Sequence, residues 1–251
     1  MAPPTTSDPL VPLLDLPGVR DAVAEVRSGL AELHNHPVNR RGWAATAAEA
    51  QIRAARASAA LDGARLDTPV DDPITDPVLA GAVRAAEEIG KLLGTWRSAP
   101  LQALARLHLV AAADLVPDER RTGELGRPNA SAEVSARLAL LADLVAGGTR
   151  VPAPVLVAVV HGELLTLEPF PSANGVVARA AARLTAIVTG LDQKGLAVPE
   201  VGHLRNRSAY REAAAGFASG TPEGLTKWIL HCCAQWGTGI REGHSIADAR
   251  A

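Results

Sequence analysis

The sequence predicts an all-α protein, and three observations support this fold class. Alanine accounts for 49 of the 251 residues, and 47% of the chain is hydrophobic. Aromatic residues make up only 3%, so the core has to be built from alanine, leucine and valine, which suits closely packed helices better than a β-sandwich. Apolar residues recur at helical spacing along most of the chain, and no strand-like alternation persists. We therefore expect one helical domain over 18–240, between an irregular, proline-rich arm (1–17) and a C-terminal tail (241–251).

The individual helices follow from this spacing and from their capping residues. Gly63 suits the C-cap of one helix, Asp76-Pro77 suits the start of the next, and Ser131 with Glu133 starts a third. The polar segment 117–129 is predicted to be a loop or a short hairpin, and the proline- and aspartate-rich segment 66–77 a loop. The predicted helices are 19–34, 44–63, 78–93, 100–113, 131–145, 153–165, 174–189, 208–219 and 222–235.

Charge and composition argue against several classes of function. The formal net charge is −2, which gives no electrostatic reason to expect nucleic acid as a partner. No apolar run reaches the length of about eighteen residues that spans a bilayer, so we expect no membrane association. The N-terminus lacks the pattern of a secretory signal. The only cysteines, Cys232 and Cys233, are adjacent and suit a helix core, and we expect a reducing, cytoplasmic setting.

The strongest candidate site is the break between two apolar helices near residue 170. A new helix opens there with Ala173-Asn174-Gly175, and its free backbone N–H groups and dipole favour an anion. Arg179 follows Gly175 by one helical turn, so its guanidinium can reach toward the same place. The residues therefore predict an anion site, and the alternative is an ordinary helix start with Arg179 at the surface.

The same residues resemble the motif of the Fic family, HPFxxGNGRxxR. Residues 168–179 read EPFPSANGVVAR and align with the motif without a gap. His161, seven residues before Glu168, resembles a histidine common on the helix that leads into the motif. The matching positions are Pro169, Phe170, Asn174, Gly175 and Arg179. The resemblance implies the Fido fold, whose members typically transfer AMP from ATP to protein hydroxyls.

Other segments extend the resemblance over roughly 45–235. Residues 58–63 read SAALDG and resemble the family's inhibitory-helix motif, S/TxxxE followed by Gly or Asn, so that Ser58, Asp62 and Gly63 hold its positions. The segment 120–127 falls where the family carries its target-docking flap, and 210–228 resembles its closing helices. The resemblance therefore implies a Fic-like helical domain with a short flap or hairpin, and a protein partner at the 120–127 loop.

Several departures from the motif concern the chemistry itself. Glu168 stands in place of the histidine that takes the proton from the attacking hydroxyl, and it puts a negative charge beside the reacting phosphate. Ser172 replaces the acidic Mg²⁺ ligand, so we expect no metal site. Ala173 replaces the first glycine, and Val176 replaces the first arginine. Together these changes argue against standard AMP transfer.

Three hypotheses follow, one of which is that weak AMP transfer persists. The first is a pseudoenzyme that binds a protein partner or a nucleotide such as ATP or ADP, with Ser172, Ala173, Asn174, Gly175 and Arg179 forming the anion site. The second is an enzyme with altered nucleotidyl- or phosphoryl-type transfer that uses Glu168 as its base.

Several positions also have structural interpretations. Asp62 is expected to pair with Arg179, either as a switch or as a fixed tie. Glu168 suits a loop carboxylate, Ser172 an N-cap, His161 a core histidine, and Phe170 an anchor of the loop. An alanine-rich surface is compatible with a homodimer, although no residue indicates an interface.

Overall fold

Helices joined by turns account for the architecture of the chain. A computed structural model describes residues 8–65 and 73–251, and within these residues there is no strand. Short irregular helical turns occupy Val11–Asp15, Asp118–Arg120 and Leu144–Gly148. The α-helices are α1 (Val19–Asn35), α2 (Pro37–Leu61), α3 (Pro77–Ser98), α4 (Pro100–Ala111), α5 (Arg121–Glu124), α6 (Ala132–Asp143), α7 (Ala153–Leu167), α8 (Asn174–Val188), α9 (Pro199–Arg205), α10 (Arg207–Ala218) and α11 (Pro222–Asp248). The prediction of an all-α chain is confirmed.

Helices α7 and α8 pack extensively against each other and form the largely buried centre of the protein. Most residues of α7 are apolar, and both helices are buried along most of their length. Helices α3 and α4 pack against α8, and α10 and α11 pack against α7. Two fully buried tryptophans join these layers: the indole of Trp96 donates to Thr185 Oγ1 at 3.1 Å, and that of Trp228 donates to the Ala158 carbonyl at 2.8 Å.

The predicted capping residues act at the helix ends as expected. Gly63 has φ +97°, and the N–H groups of Gly63 and Ala64 donate to the carbonyls of Ala60 and Ala59 at the end of α2. Asp76 accepts hydrogen bonds from the first N–H groups of α3, and Ser131 accepts from Val134 N in α6. Local chemistry therefore places these boundaries.

The start of α2 differs from the prediction. The predicted helices 19–34 and 44–63 leave 35–43 outside helical structure, but α2 begins at Pro37, directly after the capping residue His36. The ring of His36 caps the new helix by accepting from Val38 N, and proline suits the first helical position. The backbone then kinks at Gly42 (φ −162°, ψ 59°) before α2 continues.

The C-terminal boundary also differs, because α11 runs through the predicted tail. Glycines at 239 and 243 weaken the helical pattern, yet each allows a close contact. A Cβ on Gly239 would lie 2.4 Å from Pro199 N, and one on Gly243 would lie 2.7 Å from the Leu196 carbonyl. Ile246 beyond them is 2% exposed, so residues 241–248 belong to the helical core.

The sequence also predicts an irregular arm over 1–17, a loop over 66–77, and a loop or a short hairpin over 117–129. Of the predicted arm, residues 1–7 lie outside the described residues, while Asp8 accepts hydrogen bonds from Thr149 Oγ1 and from Arg150 N. Residues 66–72 of the predicted loop also lie outside them. The segment 117–129, predicted to be a loop or a short hairpin, contains the helical turns Asp118–Arg120 and Arg121–Glu124 and is otherwise loop. A short helix, α9, lies in the stretch after α8 where none was predicted.

None of the helices within the described ranges is long and apolar enough to cross a membrane.

We predict that the protein loses stability when the pH falls from about 7 to 5. Burial lowers the pKa of several histidines, of His108 to about 4 and of His161, His203 and His231 below the usual value. Between the ordinary pKa of about 6.5 and these lower values, the unfolded chain binds more protons than the folded chain, so acidification favours unfolding. Urea unfolding across this range measures the effect. A denaturation midpoint that stays constant from pH 7 to 5 would contradict it.

Candidate functional site

The loop between α7 and α8 is bracketed by two residues in the left-handed region. Glu168 (φ 46°, ψ 58°) ends α7, and Ala173 (φ 54°, ψ 18°) precedes the first residue of α8. Among the described residues, these are the only non-glycine residues with positive φ. A left-handed conformation costs a residue with a Cβ roughly 1–2 kcal/mol, so tertiary contacts have to hold the loop in place.

Asn174 supplies one of these contacts. Its Oδ1 accepts from Phe170 N at 2.9 Å, and its Nδ2 donates to the Phe170 carbonyl at 2.7 Å. Phe170 is 3% exposed and stacks on the ring of His108, with centroids 4.2 Å apart. The side chain of Asn174 is thus occupied by the loop itself, and Phe170 is the anchor that the sequence predicted.

His108, on α4, is a site residue that the sequence analysis missed. Its Nδ1 accepts from Gly126 N at 2.9 Å, and nearby the Pro169 carbonyl accepts from Asn129 N at 2.8 Å. Burial lowers the pKa of His108 to about 4, so the ring is neutral at pH 7. Gly126 is therefore joined to the 168–175 loop through His108, which stacks on Phe170, and Asn129 is joined to this loop directly. No local signal identifies His108, because it lies in an apolar helix remote in sequence from both loops.

The guanidinium of Arg179 is enclosed, with 2% of its side chain exposed. Nε donates to Ser58 Oγ at 2.8 Å, and Nη2 donates to the Ser58 carbonyl at 2.9 Å and to Asp62 Oδ1 at 2.8 Å. The expected pairing of Asp62 with Arg179 is present, and the alternative of a surface arginine is wrong. The end of α2 and the first turns of α8 are held together by this group.

The carboxylate of Asp62 also lies directly against the start of α8. A Cβ placed on Gly175 would lie 2.4 Å from Asp62 Oδ1 and 2.6 Å from Oδ2. Any side chain at 175 would therefore displace the carboxylate. The dipole of α8 favours an anion at the N-terminal turn of the helix. The carboxylate of Asp62 is the negative group that lies there.

A hydrogen-bonded chain continues from Arg179 into the core. Nη1 donates to the hydroxyl of Tyr210 on α10 at 3.3 Å, and this hydroxyl lies 2.8 Å from Nε2 of His161 on α7. Burial raises the pKa of Tyr210 to about 12, and burial together with the charge of Arg179 lowers that of His161. His161 is therefore a neutral core histidine, as the structural interpretation expected. The link to Tyr210 was missed, because no spacing connects residues from separate helices.

The remaining predicted residues do not join this cluster. Glu168 is exposed and makes no hydrogen bond or ion pair within the described part of the chain. Ser172 does not cap α8, whose N-cap is Ala173, and its hydroxyl is buried without a partner. Val176 is 3% exposed and faces the interior. Within the described ranges no three His, Cys, Asp or Glu side chains are grouped so that they could hold a metal ion.

No family model and no curated protein sequence matches the chain. Its structure, however, is similar to solved structures of Fic proteins.

One of these is a Fic family protein from Desulfovibrio desulfuricans G20, with a TM-score of 0.64 at 19% sequence identity; the match covers 98% of this chain and 77% of that one. A fragment of Fic-1 from C. elegans gives a TM-score of 0.69 at 15% identity, over 99% of this chain and 80% of the other. A variant of the same fragment gives 0.69 at 14% identity, with coverage of 97% and 76%. The chain therefore has the Fic fold over nearly its whole length.

Proposed function

We propose that this chain is a Fic-fold pseudoenzyme that does not transfer AMP and acts by binding a protein partner. The observation that carries the proposal is the position of Asp62. Its carboxylate covers Gly175 at the start of α8 and binds Arg179. A phosphate at the N-terminal turn of α8 would be repelled by this carboxylate, although the helix dipole by itself favours an anion there.

The hydrogen-bond partners of Arg179 favour a permanent ion pair with Asp62 over one that opens as a regulatory switch. Ser58 alone accepts two of its hydrogen bonds, and Tyr210 accepts a third. Displacing Asp62 would leave these three bonds in place, so the guanidinium would still point into the core. Its release would leave buried polar groups unpaired, which costs about 1–3 kcal/mol for each group. We infer that Arg179 does not turn toward a nucleotide.

The side chains that would perform AMP transfer in the resembling motif are also replaced. Glu168 is exposed and puts a carboxylate where the motif has the histidine that takes the proton. Ser172 carries no charge to offset Mg²⁺, and Val176 contributes a buried apolar group where the motif has an arginine. These replacements and the occupied anion position favour binding over catalysis.

A second candidate function is altered transfer chemistry with Glu168 as the base. The observation in its favour is the backbone of the loop, since the left-handed residues Glu168 and Ala173 lie at its two ends. Backbone strain of this kind concentrates at functional sites. This candidate requires a transferred group that tolerates a carboxylate beside it.

We expect no nucleotide to stabilise the wild-type protein. With Asp62 against α8, ATP or ADP, with or without Mg²⁺, should leave the melting temperature unchanged at millimolar concentration. The variant Asp62→Ala removes the covering charge, and inorganic phosphate or ADP should then raise its melting temperature. Thermal-shift measurements test this, with Asp114→Ala as a control whose ion pair with Arg84 lies elsewhere. Stabilisation of the wild type by ATP would contradict the proposal.

A transfer assay separates the two candidate functions. With ATP labelled in its α-phosphate, the wild type should incorporate no label into itself or into the proteins of a cell lysate. Glu168→Gln keeps the size of the side chain and removes its charge, and it should behave like the wild type. Label that appears with the wild type and is lost with Glu168→Gln would instead establish the second candidate.

Ala173→Gly should stabilise the protein. Glycine adopts the left-handed conformation without the Cβ penalty, so we expect a gain of about 1 kcal/mol, or roughly 2–4 °C in Tm. The matched control is Ala136→Gly on the exposed face of α6, which should destabilise by a similar amount because glycine is a poor helix former. Equal changes of the same sign in both variants would show that residue 173 carries no strain.

A further inference from the structure

Glu200, in the first turn of α9, carries a carboxylate that is buried in the protein interior. Its side chain is 6% exposed and lies near Arg183 on α8, whose side chain is 9% exposed. A distance of 3.6 Å separates Arg183 Nη1 from Glu200 Oε1, which is too long for a hydrogen bond. The guanidinium instead donates to the carbonyls of Ala197 at 3.1 Å and Gly195 at 2.7 Å. The ion pair therefore lacks a direct hydrogen bond.

The second oxygen of the Glu200 carboxylate also lacks a donor. Glu200 Oε2 is buried, and no group in the described part of the chain donates a hydrogen bond to it. Buried polar atoms in native proteins nearly always have a hydrogen-bond partner, either a protein group or an ordered water molecule. A charged oxygen without a donor is strongly unfavourable in the interior. A donor other than the described protein groups therefore has to reach Oε2.

A cavity of about 20 Å³ adjoins Glu200 between α7, α8, α9 and α11. A space of roughly 10–15 Å³ is enough for one buried water molecule, provided that two to four polar groups surround it. Five buried polar side chains contribute to the wall of this cavity: Glu200, Arg179, Arg183, His161 and His203. Both the size of the cavity and its polar wall therefore suit a single water molecule.

The side chains around this cavity have hydrogen-bonding capacity left over. Arg179 Nη1 carries two hydrogens and makes one bond within the described residues, to Tyr210. His161 and His203 each use one ring nitrogen in a described contact, which leaves the other nitrogen of each ring. A water molecule both donates and accepts, so it can bridge such groups to the unpaired oxygen of Glu200.

We propose that this cavity is a binding site for one structural water molecule, which donates a hydrogen bond to Glu200 Oε2 and accepts one from a guanidinium of α8. A phosphate or an organic ligand is larger than the cavity. The guanidinium groups of Arg179 and Arg183 repel a cation, and the carboxylate of Glu200 repels an anion. A small neutral molecule that both donates and accepts satisfies all three charged groups. The bound water links α9 to the buried arginines of α8.

A second cavity of about 20 Å³, bordered by α2, α3 and α8, also touches Glu200. Apart from the three charged residues that both cavities share, its wall consists mostly of alanine. Ser58 in this wall already accepts a hydrogen bond from Arg179 Nε at 2.8 Å. The cavity beside the histidines therefore offers the better site. Neither Asp62 nor Gly175 lines it, so binding of this water is independent of the charge at the start of α8.

A high-resolution crystal structure of the full-length chain tests the site directly. We expect one peak of electron density in the cavity beside the histidines, within hydrogen-bond distance of Glu200 Oε2 and of a guanidinium nitrogen. A cavity without density, a peak in the second cavity alone, or a direct hydrogen bond from a protein group to Oε2 would overturn the proposal. An anomalous signal from a chloride or a metal ion at this position would overturn it as well.

A double-mutant cycle tests the same site in solution. Ala182 lines the cavity, so Ala182→Val fills the space and displaces the water from Glu200. We expect this change to lower the melting temperature of the wild type by roughly 2–4 °C, because Oε2 is left without a donor. In a Glu200→Met background no carboxylate needs the water, and the same substitution should lower the melting temperature less or raise it.

The control for steric effects is Ala186→Val, one turn further along α8 at a buried position that does not line the cavity. It should shift the melting temperature by the same amount in both backgrounds. Arg183 keeps its bonds to the carbonyls of Ala197 and Gly195 in Glu200→Met. If this variant nevertheless fails to fold, the crystal structure of the wild type decides alone. Equal effects of Ala182→Val in both backgrounds would show that no water is bound to Glu200.

Discussion

The buried guanidinium of Arg179 is the interaction on which the arrangement of the site depends. A charge that is almost entirely removed from water has to be paired, and its acceptors come from the end of α2 and from α10. Satisfying this one group therefore fixes how α2, α8 and α10 meet. It also holds the carboxylate of Asp62 against Gly175, so that a side chain at position 175 would have to displace it.

The same constraint decides the electrostatics of the helix start. Asp62 has a short side chain, and it reaches both Arg179 and the first turn of α8 because the two helices lie against each other. The helix dipole and the guanidinium then act on an internal carboxylate in place of a bound anion.

Much of the fold and part of the candidate site could be predicted from residues that are neighbours in the sequence. Helical spacing and the capping residues Gly63, Asp76 and Ser131 gave the fold class and several boundaries, because caps depend on neighbours in sequence. The short window from Glu168 to Arg179 identified the loop and its arginine. The pairing of Asp62 with Arg179 was predicted only through the family resemblance, since no spacing relates the two residues. The N-cap assigned to Ser172 was wrong because Ala173 takes the left-handed conformation and starts the helix one residue later.

The sequence by itself determined that the chain is helical, that its core is aliphatic, and that one loop resembles the Fic motif without the motif's histidine. Only the tertiary structure decided which groups meet: His108 beneath Phe170, Tyr210 beside Arg179, and the carboxylate of Asp62 against Gly175. It also decided that α11 continues through Gly239 and Gly243, where close packing outweighs a poor helix propensity. The physical reason is the same in each case. Propensity and capping act over a few residues, whereas burial and charge pairing depend on residues that are distant in sequence.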